Sequence, residues 1–301
     1  MQNPRSDAPA PTLLIFGLGY SAQAIAARAR ADGWHVIGTR RQGGEPPDII
    51  TFSAAEPALR IATHVLSSVP PDAEGDPVLN RYRSAIAYAP RLRWVGYLST
   101  TGVYGNRDGA WVDEMTVLRE PESERAQRRF DAELAWAAFA DKRPVNIFRL
   151  AGIYGPGRSV FDDIRSGRAR RVIKPGHAFG RIHRDDIAAA VIAGMCQKRQ
   201  PGVQVFNLTD DLPAESAEVM EEAAALLGVP APPAVQFAEA LATMSPMARS
   251  FWADNRRVSS RATQAELGLR WRYPTYREGL RAILEEERLN GVAQQSEVGG
   301  A

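Results

Sequence analysis

Cysteine is nearly absent from this chain of 301 residues, with Cys196 the only one. No internal disulfide can form, and the usage fits a reducing compartment. Cys196 closes an apolar helical run, so it reads as a buried small hydrophobe. Lysine is also scarce, occurring only as Lys142, Lys174 and Lys198, so arginine supplies nearly all the positive charge. Arginine suits planar contacts with phosphate or carboxylate but is a poor proton carrier. Four scattered histidines and one cysteine give no metal-ligand spacing, so no metal is expected. The longest apolar run, from Ile187 to Cys196, has ten residues and is too short to cross a membrane. Residues 1–11 are polar and proline-rich, without the apolar segment of a secretory signal. A formal charge of +2 gives no reason to invoke a nucleic-acid surface. There is no G-x-S-x-G elbow and no G-x-x-x-x-G-K-[ST] phosphate loop. Serine-hydrolase and phosphate-loop chemistries drop out, and a cytoplasmic protein is expected.

What remains is ordinary globular material, 45% hydrophobic and 24% charged, long enough to bury a sizeable core. Short apolar runs at 12–16, 34–39, 48–52, 62–67, 92–98, 145–150 and 203–208 predict strands. Most lack polar alternation, as strands covered on both faces do. Helices are predicted at 20–32, about 76–89, 122–141 and 184–197, with Asp76-Pro77 as a capped helix start. Alternation of the two types implies an α/β fold with a doubly wound parallel sheet. From Ala151 the pattern turns to Gly-, Pro- and Arg-rich loops with short helices. We therefore expect a dinucleotide-binding domain of residues 12–150 plus 183–208 and a smaller substrate lobe of 151–182 plus 209–285. Residues 1–11 and 290–301 read as flexible tails.

Gly17-Leu18-Gly19-Tyr20-Ser21-Ala22 is a G-x-G-x-x-A dinucleotide fingerprint between an apolar strand and a helix. Gly17 permits a tight turn, Gly19 lets the backbone approach a pyrophosphate, and Ala22 allows the helix close to the strand. Amides of the first helical turn, at Tyr20 and Ser21, then face the phosphate. The second strand ends in Thr39-Arg40-Arg41, with no acid until Glu45. A carboxylate there would select NAD, whereas arginines suit the 2′-phosphate of NADP. Each charge-assisted bond to that phosphate is worth roughly 1.5–3 kcal/mol. NADP is the expected cofactor and NAD the less favoured one; a solvated arginine pair is the plain alternative.

In order along the chain come LSTTGVYG at 98–105, WVDE at 111–114, FRLAGIYGPGR at 148–158, RIHRDDIA at 181–188, VFNL at 205–208 and RYPTYREGL at 272–280. With the glycine turn, this series resembles the extended short-chain dehydrogenase/reductase superfamily, in its epimerase/dehydratase branch. Within it, the GxGYS turn and STTGVYG look most like the atypical YeeZ-like group. The resemblance implies that Thr100 bonds the reacting oxygen, with Thr101 beside it and Ser99 nearer the nicotinamide. It also implies a Tyr-x-x-x-Lys pair on the next long helix, yet no tyrosine lies between Tyr104 and Tyr154 and no lysine before Lys142. Aligned on Glu133, the tyrosine position falls on Arg125 and the lysine position on Arg129. Arg129 could still hold ribose or phosphate, but Arg125 cannot exchange a proton near neutral pH. Losing a positioned acid–base group removes roughly 10²–10⁴ in rate. The plain alternative for Arg125, Arg128 and Arg129 is a solvated charge run.

By the same resemblance, Arg158 and Arg181 point towards an anionic substrate group, Tyr104 and Tyr154 are substrate-contact candidates, and His183 is largely structural. His35 and His64 read as core or edge histidines. Two readings stay open. One is an NADP-dependent oxidoreductase or epimerase-like enzyme on a small polar substrate, possibly a nucleotide sugar; the other is a non-catalytic NADPH-binding regulatory protein. A homodimer is a family expectation.

Overall fold

A computed structural model describes residues 10–42, 44, 48–119 and 123–298. Its main sheet has seven strands in the order Gly202–Leu208, Pro144–Leu150, Trp94–Thr100, His64–Ser67, Thr12–Phe16, His35–Arg40 and Ile49–Thr51. Thr12–Phe16 pairs in parallel with both of its neighbours, and its five side chains are all buried. This is the sequence order expected of a doubly wound fold, and each apolar run becomes a strand within two residues of its predicted limits. Glu45 lies outside the described residues.

Contacts divide the chain into two compact units. The first holds residues through Ser99, Asp131–Phe148 and Val191–Val205; the second holds Thr100–Phe130, Arg149–Ala190 and the chain from Phe206. In the first unit, helices Glu56–Ile61 and Pro77–Ala87 bury Leu59, Val78, Leu79, Tyr82 and Ile86 with Leu14, Phe16, Val65 and Tyr97 of the sheet. Trp136, fully buried, closes the same cluster. Asp76 caps Pro77–Ala87 as its sequence suggests: one carboxylate oxygen accepts the amides of Val78 at 2.9 Å and Leu79 at 3.0 Å. The other accepts the Trp136 indole N–H at 2.8 Å. One hydrophilic side chain thus fixes a helix start and the orientation of the largest core ring. Helix Glu56–Ile61 has no counterpart in the sequence reading, because six residues are too few to show a helical period.

The second unit is built from fragments: Gly152–Tyr154 with Arg181–His183, Ala178–Phe179 with Ala214–Glu215, Arg171–Ile173 with Ala234–Gln236, and Trp111–Val112 with Arg257–Val258. Helices Ser216–Leu227 and Tyr276–Val298 pack on the first three pairs, burying Ala223, Leu280 and Ile283 against Phe161 and Tyr154. The final helix runs through much of the segment expected as a tail. Another expectation is corrected at Cys196, which is exposed. It is the last residue of helix Arg184–Cys196, and it is exposed although Gly194 and Met195 just before it are buried.

Candidate cofactor and substrate sites

In the first unit, strand Thr12–Phe16 delivers the chain into Gly17 at φ +83, a left-handed conformation that favours glycine. A Cβ there would also meet Val69 Cγ2 at 2.9 Å. Gly19, at φ −88, is the N-cap of helix Tyr20–Ala31, and a Cβ on it would meet nothing within 4 Å. The helix start carries no side-chain cap and no acidic residue in its first turn. An uncapped, uncharged helix start offers its orphan amides and positive dipole end to an anion.

Thr39 departs from its expected part in holding the cofactor. It is buried, and its hydroxyl accepts the Gly17 amide at 3.0 Å, so it supports the turn from within. Arg40 and Arg41 are exposed and form no ion pair with any described residue.

The strand Trp94–Thr100 ends in the hydroxyl cluster, and the three members have different fates. Ser99 is buried and donates to Glu133 Oε1 at 2.5 Å, which turns it into the first unit. Thr101 is buried. Thr100, half-buried, accepts the Gly102 amide at 3.1 Å, which leaves its own O–H as a donor. In the second unit Arg125 lies with its guanidinium 4.8 Å from the Phe251 ring centre. Burial, and then the neighbouring charge of Arg129, press the Arg125 pKa below its ordinary value without discharging it. Arg128 is half-buried and bound to Glu124 at 2.7 Å, while Arg125 is itself exposed.

Three substrate candidates are corrected by packing. Tyr104 is fully buried, donating to Asn207 Oδ1 at 2.8 Å and accepting from Arg149 at 3.0 Å, so its hydroxyl is spent on the fold. Tyr154 sits in the lobe core, pressed against Gly279, where a Cβ would meet its hydroxyl at 2.0 Å. Arg181 donates to the carbonyls of Phe179 at 2.8 Å and Ala214 at 3.2 Å and faces Asp210, so it staples a two-stranded sheet. Arg158 is exposed in the Gly155–Arg158 turn. His183 is buried between Tyr154 and Tyr273, with its pKa lowered to about 4 chiefly by burial. Among the described residues no group of His, Cys, Asp and Glu could hold a metal ion.

No family model matches the chain. It is 27% identical over 287 residues to Protein YeeZ of Escherichia coli (strain K12), covering 86% of this chain and 95% of YeeZ. The solved structure of a functionally unknown conserved protein from Silicibacter pomeroyi DSS is 44% identical with a TM-score of 0.83, covering 92% of this chain and 99% of that one. The chain is thus similar to YeeZ over most of its length and has the fold of epimerase/dehydratase-type proteins. Two more distant structures share the fold. Human epimerase family protein SDR39U1 (isoform 2), solved with NADPH, is 19% identical with a TM-score of 0.72, covering 91% of this chain and 99% of its own. MoeE5, in complex with UDP-glucuronic acid and NAD, is also 19% identical, with a TM-score of 0.69 and coverage of 93% and 99%.

A second group of candidates lies in the second unit and carries no motif in the sequence. His177 is buried and stacks on Trp252, 5.3 Å between ring centres, and burial takes its pKa to about 4. Lys174 donates to the Trp252 carbonyl at 2.8 Å and lies 4.1 Å from the centre of Phe237. Arg256 binds the Gly105 carbonyl at 3.1 Å and Asp254 at 2.9 Å, beside the turn that begins at Thr100. None belongs to a spaced motif; folding alone brings them to the Thr100–Gly105 turn or to the aromatic cluster on Trp252.

Proposed function

We propose that the protein binds a nicotinamide dinucleotide in its first unit, NADP(H) in preference to NAD(H), and uses it as an oxidoreductase or epimerase-like enzyme. The observation that carries the reading is the uncapped helix start behind Gly17 and Gly19, together with Arg40 and Arg41 exposed at the end of the adjoining strand. The NADPH and NAD held by structures of the same fold support the cofactor class. Titration of the purified chain with NADPH and NADH tests it. Tighter binding of NADPH is expected, with the difference lost in the Arg40→Ala, Arg41→Ala double variant. Equal affinity for the two cofactors would return these arginines to solvent.

The chemistry rests on Thr100, whose O–H is left to donate to a reacting oxygen while its lone pair holds the Gly102 amide. A threonine hydroxyl ionises too weakly to act as a free base, so the proton must pass on to water or substrate. Arg125 and Arg129 offset developing negative charge, an electrostatic contribution without proton transfer. That suits hydride transfer to an already activated carbonyl and predicts slow turnover. The cations Arg125, Arg158, Lys174 and Arg256 of the second unit favour an anionic substrate, and a nucleotide sugar is the class we propose. Loss of turnover in Thr100→Val is the expected result on an identified substrate. A second reading, a non-catalytic NADPH-binding protein, is favoured by one observation: an arginine, which cannot titrate, stands at the expected position of the acid–base tyrosine.

A further inference from the structure

The glycine turn is held from two sides. The Gly17 amide donates to Thr39 Oγ1 at 3.0 Å, and the Leu18 amide donates to the Thr39 carbonyl at 2.8 Å. The Gly17 carbonyl accepts the Ser68 hydroxyl at 2.9 Å and the Gly19 amide at 2.8 Å. Ser68 is itself fixed by its own amide, which donates to the Phe16 carbonyl at 2.9 Å. The amides of residues 17, 18 and 19 are therefore all consumed inside the unit. The amides of the first helical turn come next along the chain, and their direction depends on the peptide planes that Thr39 and Ser68 hold.

We infer that Thr39 and Ser68 are positioning residues that preform the pyrophosphate turn. The inference rests on the cofactor reading above. Thr39 grips the turn with both its hydroxyl and its carbonyl, from the strand whose next residue is Arg40. Ser68 grips it from the residue following strand His64–Ser67. Neither side chain needs to touch the ligand. A preorganised turn saves the ordering cost that a loose glycine loop would meet on binding.

The test uses the full chain and three probes: NADPH, NADH, and adenosine 2′-monophosphate, which carries the 2′-phosphate but no pyrophosphate. Thr39→Val and Ser68→Ala are each expected to weaken NADPH and NADH by the same factor, about fivefold, the effect of one neutral hydrogen bond. Adenosine 2′-monophosphate should keep its affinity in both variants, and Thr39→Ser should restore the dinucleotides. Arg40→Ala gives the opposite pattern, losing NADPH and adenosine 2′-monophosphate together while NADH holds. Should Thr39→Val fail to fold, Ser68→Ala, at a half-buried position, carries the test alone. Unchanged NADPH affinity in the variants overturns the inference and leaves the cofactor reading standing. So does an equal loss for all three probes, which marks general loosening. No dinucleotide binding to the unaltered chain overturns both.

Discussion

Asp76 in the first unit and Asp210 in the second are the same side chain buried to nearly the same degree, 6% and 1% exposed. Asp76 accepts three hydrogen bonds, from two helix amides and an indole. Among the described residues neither carboxylate oxygen of Asp210 reaches a well-formed hydrogen bond, although the Arg181 and Leu212 backbone lies close enough to favour its charge, and the buried Tyr154 and Tyr276 hydroxyls and His183 Nε2 reach none either. Desolvation raises the Asp210 pKa to about 8, with the Arg181 charge opposing it. Burial alone therefore decides little; the partners decide whether a buried acid stabilises a fold or burdens it.

Removing each acid should break the symmetry of that pair. Asp76→Ala deletes a helix cap and strands the Trp136 indole in the core, for a loss of about 3 kcal/mol in chemical denaturation. A loss below about 1 kcal/mol would show that water replaces the carboxylate.

The dependence on pH sharpens the contrast. His64, His177 and His183 are each lowered to about 4, mainly by burial, so their contribution is full above pH ~6.5 and is lost as pH falls towards 4. Asp210 has the opposite sign. In the unfolded chain it ionises near pH ~4, whereas in the fold it keeps its proton to about 8, so its contribution is lost as pH rises through that window. Stability should climb from pH 4 to about 6.5 and then decline towards 8, by at most about 1.4 kcal/mol per pH unit. Asp210→Asn, neutral throughout, should flatten the alkaline decline and steepen the acid limb, which Asp210 opposes from about pH 4 upward. A decline that survives the substitution would assign it to another group.

The smallest effect on stability is expected at Gly19. A Cβ meets nothing within 4 Å, so Gly19→Ala should melt with the unaltered protein yet lose dinucleotide affinity, because the methyl group stands where the backbone must approach the pyrophosphate. Gly17→Ala, strained at φ +83 and 2.9 Å from Val69, should lose both. Equal melting of the two variants would remove the distinction between them.

How much of this was legible depended on the range of the interactions. The sheet strands show as contiguous apolar runs, and Asp76-Pro77 as a helix start, because both signals lie within a few residues. The lobe does not, since pairings such as Arg171 with Ala234 join two- and three-residue strands far apart in the chain. The glycine turn was visible as a motif, but Ser68 was not, because its bond to Gly17 spans 51 residues with no spacing rule. Tyr104 and Arg181 misled for a related reason: an aromatic hydroxyl or a guanidinium in a ligand-like motif looks the same whether it faces a substrate or, as here, Asn207 and two backbone carbonyls.

The lone thiol has a practical outcome. Cys196 is the chain's only cysteine and it faces solvent at the end of a helix, where burial nudges its pKa upward and slows its attack on alkylating reagents at neutral pH without blocking it. A maleimide dye would therefore attach at one defined point without any engineered substitution. Paired with the fluorescence of the reduced nicotinamide dinucleotide proposed above, that dye would turn its binding into an energy-transfer signal from the natural sequence.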